Sequence, residues 1–216
     1  MATYTIQILN ESGFPKSYVV FSQPPEVTSS GGSTQVFTNA WVTFSSTKPG
    51  GFDKVSYDDV TDAYWGTTPS AIGTGVIVST GGFVTANTEH QDSVTFTATE
   101  PRGFGPVTHG KASTGAFQIV AQSDFTAKDK IVFGMAKPTN TPIAEPVATF
   151  AAEPNDTFDV IPVVKFYVAD GAFTTGQIID VKKFSTKSGE IDFTGRSQTT
   201  ATVTQKADGS FTLEYS

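Results

Sequence analysis

Between positions 56 and 66 the chain sets three carboxylates, Asp58, Asp59 and Asp62, among the rings of Tyr57, Tyr64 and Trp65. Carboxylate oxygens accept hydroxyl protons and flat rings cover apolar C–H faces, so this mixture suits a sugar or another hydroxylated small molecule. Tyr57, Asp58, Asp59, Asp62, Tyr64 and Trp65 are therefore the candidate ligand-binding residues. The same segment also reads as a capped turn, even one helical turn, whose rings anchor it to a core while its acids stay in water. It is not a calcium loop, because the alternating ligand pattern would need an oxygen donor at position 60, where Val60 stands.

His90 and His109 are the only histidines. With Asp58 they are the candidates for acid/base catalysis, since imidazole titrates near neutral pH and a carboxylate can orient it. Neither has a second ligand at the short spacing of zinc motifs, so they read as separate surface histidines, with no metal and no cofactor expected. Residues 105–112 come close to a phosphate-binding loop, with Gly105, Gly110 and Lys111 in place. Ala112, however, lacks the hydroxyl that would hold magnesium, and a β-forming run follows where the phosphates need a helix N-terminus. Carboxylate sets for glycoside hydrolysis (Asp58/Asp59, Glu153/Asp156/Asp159, Asp170/Asp180) exist, but their separation in space decides that chemistry. There is no Gly-x-Ser-x-Gly elbow.

What must position these groups is a β scaffold. Thr200, Thr202 and Thr204 alternate with Ala201, Val203 and Gln205; Asp208-Gly209 turns the chain; Phe211, Leu213 and Tyr215 then alternate with Thr212 and Glu214. That is a hairpin with its turn chemistry included. Similar runs at 3–9, 16–22, 34–44, 52–57, 75–79, 92–98, 116–122, 130–135, 158–169, 177–183 and 190–193 bring the number to about a dozen. No stretch of ten residues carries a 3.6-residue apolar period. Residues 137–146, with three prolines, read as the longest loop. The expectation is an all-β fold over residues 1–216, a single-domain antiparallel β-sandwich with a closed β-barrel as alternative.

Composition narrows the partners. The 18 phenylalanines supply the core, and the absence of cysteine excludes disulfides, thiolate metal sites and cysteine nucleophiles. Net charge is −7 with only two arginines, Arg102 and Arg196, so neither nucleic acid nor an anionic membrane surface is an expected partner. The first residues carry no basic region followed by an apolar one, and no apolar run approaches the ~20 residues of a membrane helix. The expected location is cytoplasmic.

Several segments resemble the rhizosphere-induced protein family: residues 4–13 (YTIQILNESG), 18–21 followed by Pro24-Pro25, Thr38-Asn39-Ala40-Trp41, Phe133-Gly134-Met135-Ala136, residues 163–169, and the closing hairpin. The resemblance implies an all-β protein and carries over no catalytic residue. The leading functional expectation is a soluble, non-enzymatic binding protein that recognises a glycan, a small molecule or a protein partner through the aromatic/acidic segment. The alternatives are an enzyme (hydrolase, isomerase or cyclase) with an end pocket, and a self-assembling protein whose sheet edges pair into a homodimer.

Overall fold

Alternation at the N-terminal end produces the strand Thr3–Asn10, which buries Ile6, Ile8 and Asn10 and leaves Thr5, Gln7 and Leu9 half-buried between them. The same rule builds most of the molecule. A computed structural model describes residues 2–139, 143–163, 165–183 and 189–216; among them lie nineteen strands and two 3-10 turns. The strands form four sheets. One has the spatial order Phe211–Tyr215, Thr200–Gln205, Thr3–Asn10, Phe52–Asp58. A second runs Gly103–Phe104, Ser93–Thr97, Phe117–Ala121, Thr157–Ile161, Glu26–Ser29, Gly32–Ser33. A third runs Ile178–Ile179, Val36–Asn39, Glu145–Ala151, Ile131–Lys137, Asp62–Thr67, Ser79–Thr85. The smallest is Phe166–Asp170, Lys16–Ser22, Val42–Thr47. None of the four closes on itself, so the arrangement is a multi-sheet sandwich and not a barrel.

Most ladders are antiparallel, as expected, but two are parallel: Thr3–Asn10 with Thr200–Gln205, and Ser93–Thr97 with Phe117–Ala121. The closing hairpin forms with Val203 opposite Leu213. The run expected at 34–44 is two strands, because Ala40 and Trp41 leave one sheet for another. The Ala40 amide donates to Gln177, and the Trp41 amide donates to Val20 in the smallest sheet. The run at 158–169 likewise splits into strands of two sheets around Pro162; Val164, inside it, lies outside the described residues. Of the run at 75–79 Ser79 joins the strand Ser79–Thr85 and Ile77 makes a single bridge with Gln177, as Ile191 does with Phe166 in 190–193, while 177–183 keeps a two-residue strand followed by a 3-10 turn.

The centre of the third sheet departs furthest from period two. Ile131–Lys137 is buried at every position between Asp62–Thr67 and Glu145–Ala151. A strand covered on both faces has no reason to alternate. At its midpoint Gly134 is obligatory: a Cβ there would lie 1.9 Å from the Ala148 carbonyl oxygen. The expected loop 137–146 shrinks, because strands enter it from both sides; its residues 140–142 lie outside the described residues. Pro146 is accommodated where the ladder slips register opposite Ala136, the kind of irregularity at which a sheet tolerates proline.

One contiguous core draws residues from all four sheets, including Ile8, Val20, Phe117 and Phe133. Phe133 is its hub, with Phe96 at 5.0 Å, Phe158 at 5.9 Å and Phe150 at 6.4 Å between ring centroids, all near edge-to-face. Such pairs add about 0.5–1.5 kcal/mol each beyond their burial. No helix among the described residues is long and apolar enough to cross a membrane.

Candidate functional site

The aromatic/acidic segment is not a helical turn. Tyr57 and Asp58 end the strand Phe52–Asp58, residues 59–61 cross to another sheet, and Asp62, Tyr64 and Trp65 belong to the strand Asp62–Thr67. Strand geometry then separates them, since neighbours point to opposite faces. Tyr64 is fully buried in a minor core with Val78, Val132 and Ile178, and its hydroxyl bonds Thr149. Trp65 packs on the other side, against Phe96 at 5.3 Å and over Gly81, where a Cβ would come within 2.4 Å of the indole. Asp62 is buried with its carboxylate accepting from the Thr85 hydroxyl at 2.9 Å; burial outweighs that bond and pushes its carboxyl above the usual range.

Asp58 and Asp59 remain at the surface side of the sheet corner, next to the buried Tyr57, and three clefts meet around them. One of about 290 Å³ runs from Asp59 and Thr61 to Thr85, Asn87 and Glu89. A second, of about 140 Å³, is lined by Thr3, Ser56, Tyr57, Asp58 and Thr139. A third, of about 220 Å³, brings Tyr4, Tyr57 and Phe193 together with Asp59 and Arg196. Asp58 is tied up locally, its carboxylate accepting from the Val60 amide at 3.0 Å in an Asx turn. Tyr57 is 4% exposed, wedged against Trp41, Phe166 and Tyr4 at 5.0–5.7 Å. Among the described residues its hydroxyl has no hydrogen-bond partner. Burial first, then the Asp59 charge, raises its ionisation well above the ordinary tyrosine range.

Lys137, which sequence reasoning missed, lies behind the corner. It is 2% exposed, its ammonium donates to the Val60 carbonyl at 3.0 Å, and it sits 5.6 Å from the centre of the Tyr57 ring. Burial pulls its pKa down to about 8, against the opposing pull of Asp59, Asp58 and Asp62. The available signal was a lysine closing an otherwise unbroken apolar run from Ile131 to Ala136. Arg196 and Tyr4 gave no such signal, as they reach the third cleft only through the pairing of distant strands.

The two histidines, read as separate, are neighbours. Their ring centroids lie 5.5 Å apart, and His109 Nδ1 is 2.5 Å from Asp92 Oδ1. Asp92 is buried with its other oxygen accepting from the Asn87 amide at 2.8 Å. Burial pushes its carboxyl up, but the Asn87 amide and the His109 ring outweigh this and hold it below the usual range. Asp58, the third acid/base candidate, lines a different cleft from the one that ends at Asn87 and Glu89. The near phosphate loop at 105–112 is an irregular connection whose Lys111 and Ala112 amides both donate to the Gln91 carbonyl. These bonds turn its amides toward the protein, where they cannot cradle a phosphate.

A family model described as RhiA matches residues 1–216. No curated protein and no solved structure matches the chain.

Proposed function

The chain belongs to the RhiA family, and we propose that this member is a binding protein that takes a hydroxylated small molecule or the end of a glycan at the corner formed by Tyr4, Tyr57, Asp59, Phe193 and Arg196. The observation that carries this reading is Tyr57, which lines two clefts and whose buried hydroxyl has no described partner. A buried hydroxyl left unsatisfied costs about 1–3 kcal/mol, and a ligand hydroxyl would remove that penalty on binding. Around it stand the features sugar recognition uses: ring faces from Tyr4 and Phe193, an acceptor at Asp59 and a fixed donor at Arg196. Arg196 is pre-positioned, stacked 4.0 Å over Tyr215 with its Nε donating to the Asp192 carbonyl at 2.8 Å.

The test is a glycan array followed by titration on intrinsic fluorescence. Trp41 is the reporter, since it is buried and meets Tyr57 edge-on at 5.4 Å. Asp59→Asn is expected to weaken binding tenfold or more, whereas Trp65→Phe leaves it unchanged. Equal binding by wild type, Asp59→Asn and Tyr57→Phe would remove the corner as the site.

A further inference from the structure

We propose that His90, Asp92 and His109 form a binding site for a divalent transition-metal ion of the class that prefers imidazole, with zinc as its simplest representative. One ligand atom from each residue lies within 4.8 Å of the other two. A zinc ion bonded at about 2.0–2.2 Å holds its ligand atoms roughly 3–3.6 Å apart. The two rings therefore need to move by about an ångström; both are exposed, and His109 is already bonded to Asp92.

The backbone beneath the rings is already fixed. Ser93 and Thr108 exchange both amide–carbonyl bonds, at 2.7 and 2.9 Å. The Gly110 amide donates to the His90 carbonyl at 2.9 Å, and the Asp92 amide donates to the Asn87 carbonyl at 3.0 Å. The two histidine-bearing loops are thus stapled together without any ion. Asp92 is oriented from behind by the Asn87 amide, the outer support that metal-binding carboxylates and imidazoles ordinarily have.

A His–Asp hydrogen bond alone would account for His109 and Asp92. It does not account for a second imidazole, set at 76° to the first and near the same carboxylate. Two nitrogens and one carboxylate oxygen are a poor set for calcium or magnesium, which take oxygen donors, and a good one for zinc, nickel or copper. Three protein ligands also leave a coordination position for water or a bound molecule.

Isothermal titration of ZnCl2 into chelator-treated, tag-free protein tests the site. The expected result is one ion per chain, with His90→Gln and His109→Gln each weakening binding at least tenfold. Both substitutions alter exposed rings, and a thermal melt of each checks that the fold is kept. A second measurement needs no variant: Co2+ should broaden the NMR ring resonances of both histidines ahead of all other signals. No saturable binding, binding indifferent to both substitutions, or broadening centred on other residues would overturn the proposal. The Tyr57–Asp59 corner would be untouched by that failure.

Discussion

Lys137 and the His90–Asp92–His109 trio each set nitrogen bases against carboxylates, one inside the protein and the other at its rim. Lys137 ends a strand buried at every position, and among the described residues its ammonium meets the Val60 carbonyl, the Tyr57 ring and the field of three aspartates in place of water. The histidines keep their solvent, and of that trio only Asp92 is buried. A charge removed from water must be matched by protein groups or lose its proton. Charges at a surface exchange partners at little cost. The contrast shows why a displaced pKa is ambiguous as a sign of function. At Lys137 it accompanies a group that pins the 59–61 turn, and at the rim the more telling sign is geometry.

The sharpest break of this comparison is Lys137→Ala. It leaves Asp62 buried without its counter-charge and opens a cavity, and breaking a buried charge arrangement in this way costs about 3–5 kcal/mol. Lys137→Met, which keeps the volume, should cost less than half as much. Urea unfolding at neutral pH measures both; a loss below about 1 kcal/mol for the alanine variant would mean that the buried ammonium contributes no more than a surface charge.

The pH dependence comes next in size. The folded Lys137 loses its proton near pH 8, against 10.5 for an ordinary lysine. Between about pH 8 and 10 the unfolded chain therefore holds more protons, so stability rises with pH, by at most ~1.4 kcal/mol per unit from this group. Above pH 10 the sign reverses. Burial raises the ionisation of Tyr18, Tyr57 and Tyr64, so the unfolded chain gives up protons that the folded one keeps. Unfolding followed from pH 7 to 10 should show a rise in wild type that is absent in Lys137→Met.

How much of this could be read in advance follows from what each element depends on. The hairpin ending at Tyr215 was legible because its alternation and its turn are both local. The strand Glu145–Ala151 was not, because Pro146 argues against a strand until a register slip opposite Ala136 makes room for it. The segment 57–65 shows how a compact cluster in sequence can be divided. Period two sends Tyr64 to one core and Trp65 to another side, leaving Tyr57, Asp58 and Asp59 at the clefts. The histidines show the converse: nineteen positions separate them, and the pairing of Ser93 with Thr108, with the bond from the Gly110 amide to the His90 carbonyl, brings their loops side by side. Spacing rules for metal ligands describe single loops and could not report that pairing.

At the rim the effects on stability should be smaller. Asp92→Asn removes the charge from a buried carboxylate whose two oxygens serve the Asn87 amide and the His109 ring, one each, and about 1–2 kcal/mol is expected. His109→Gln, at a side chain 68% exposed, should change stability by less than about 0.5 kcal/mol. A larger effect at His109 than at Asp92 would show that the ring, and not the buried carboxylate, holds the two loops together.

A substitution expected to leave folding unharmed is the most informative about the corner. Tyr57→Phe removes a hydroxyl that has no described partner and leaves the ring in its contacts with Trp41 and Phe166. Folding should be unaffected or improved by up to ~1 kcal/mol, because a desolvated hydroxyl disappears and no described hydrogen bond goes with it. If the hydroxyl is instead retained for a ligand, the same substitution weakens binding while the melting curve stays or rises. A residue kept only for packing would show no such opposition between the two measurements. Thermal melts of Tyr57→Phe beside its ligand titration decide the matter, and a variant that is destabilised by more than about 1 kcal/mol would mean that the hydroxyl already has a structural partner, such as a bound water.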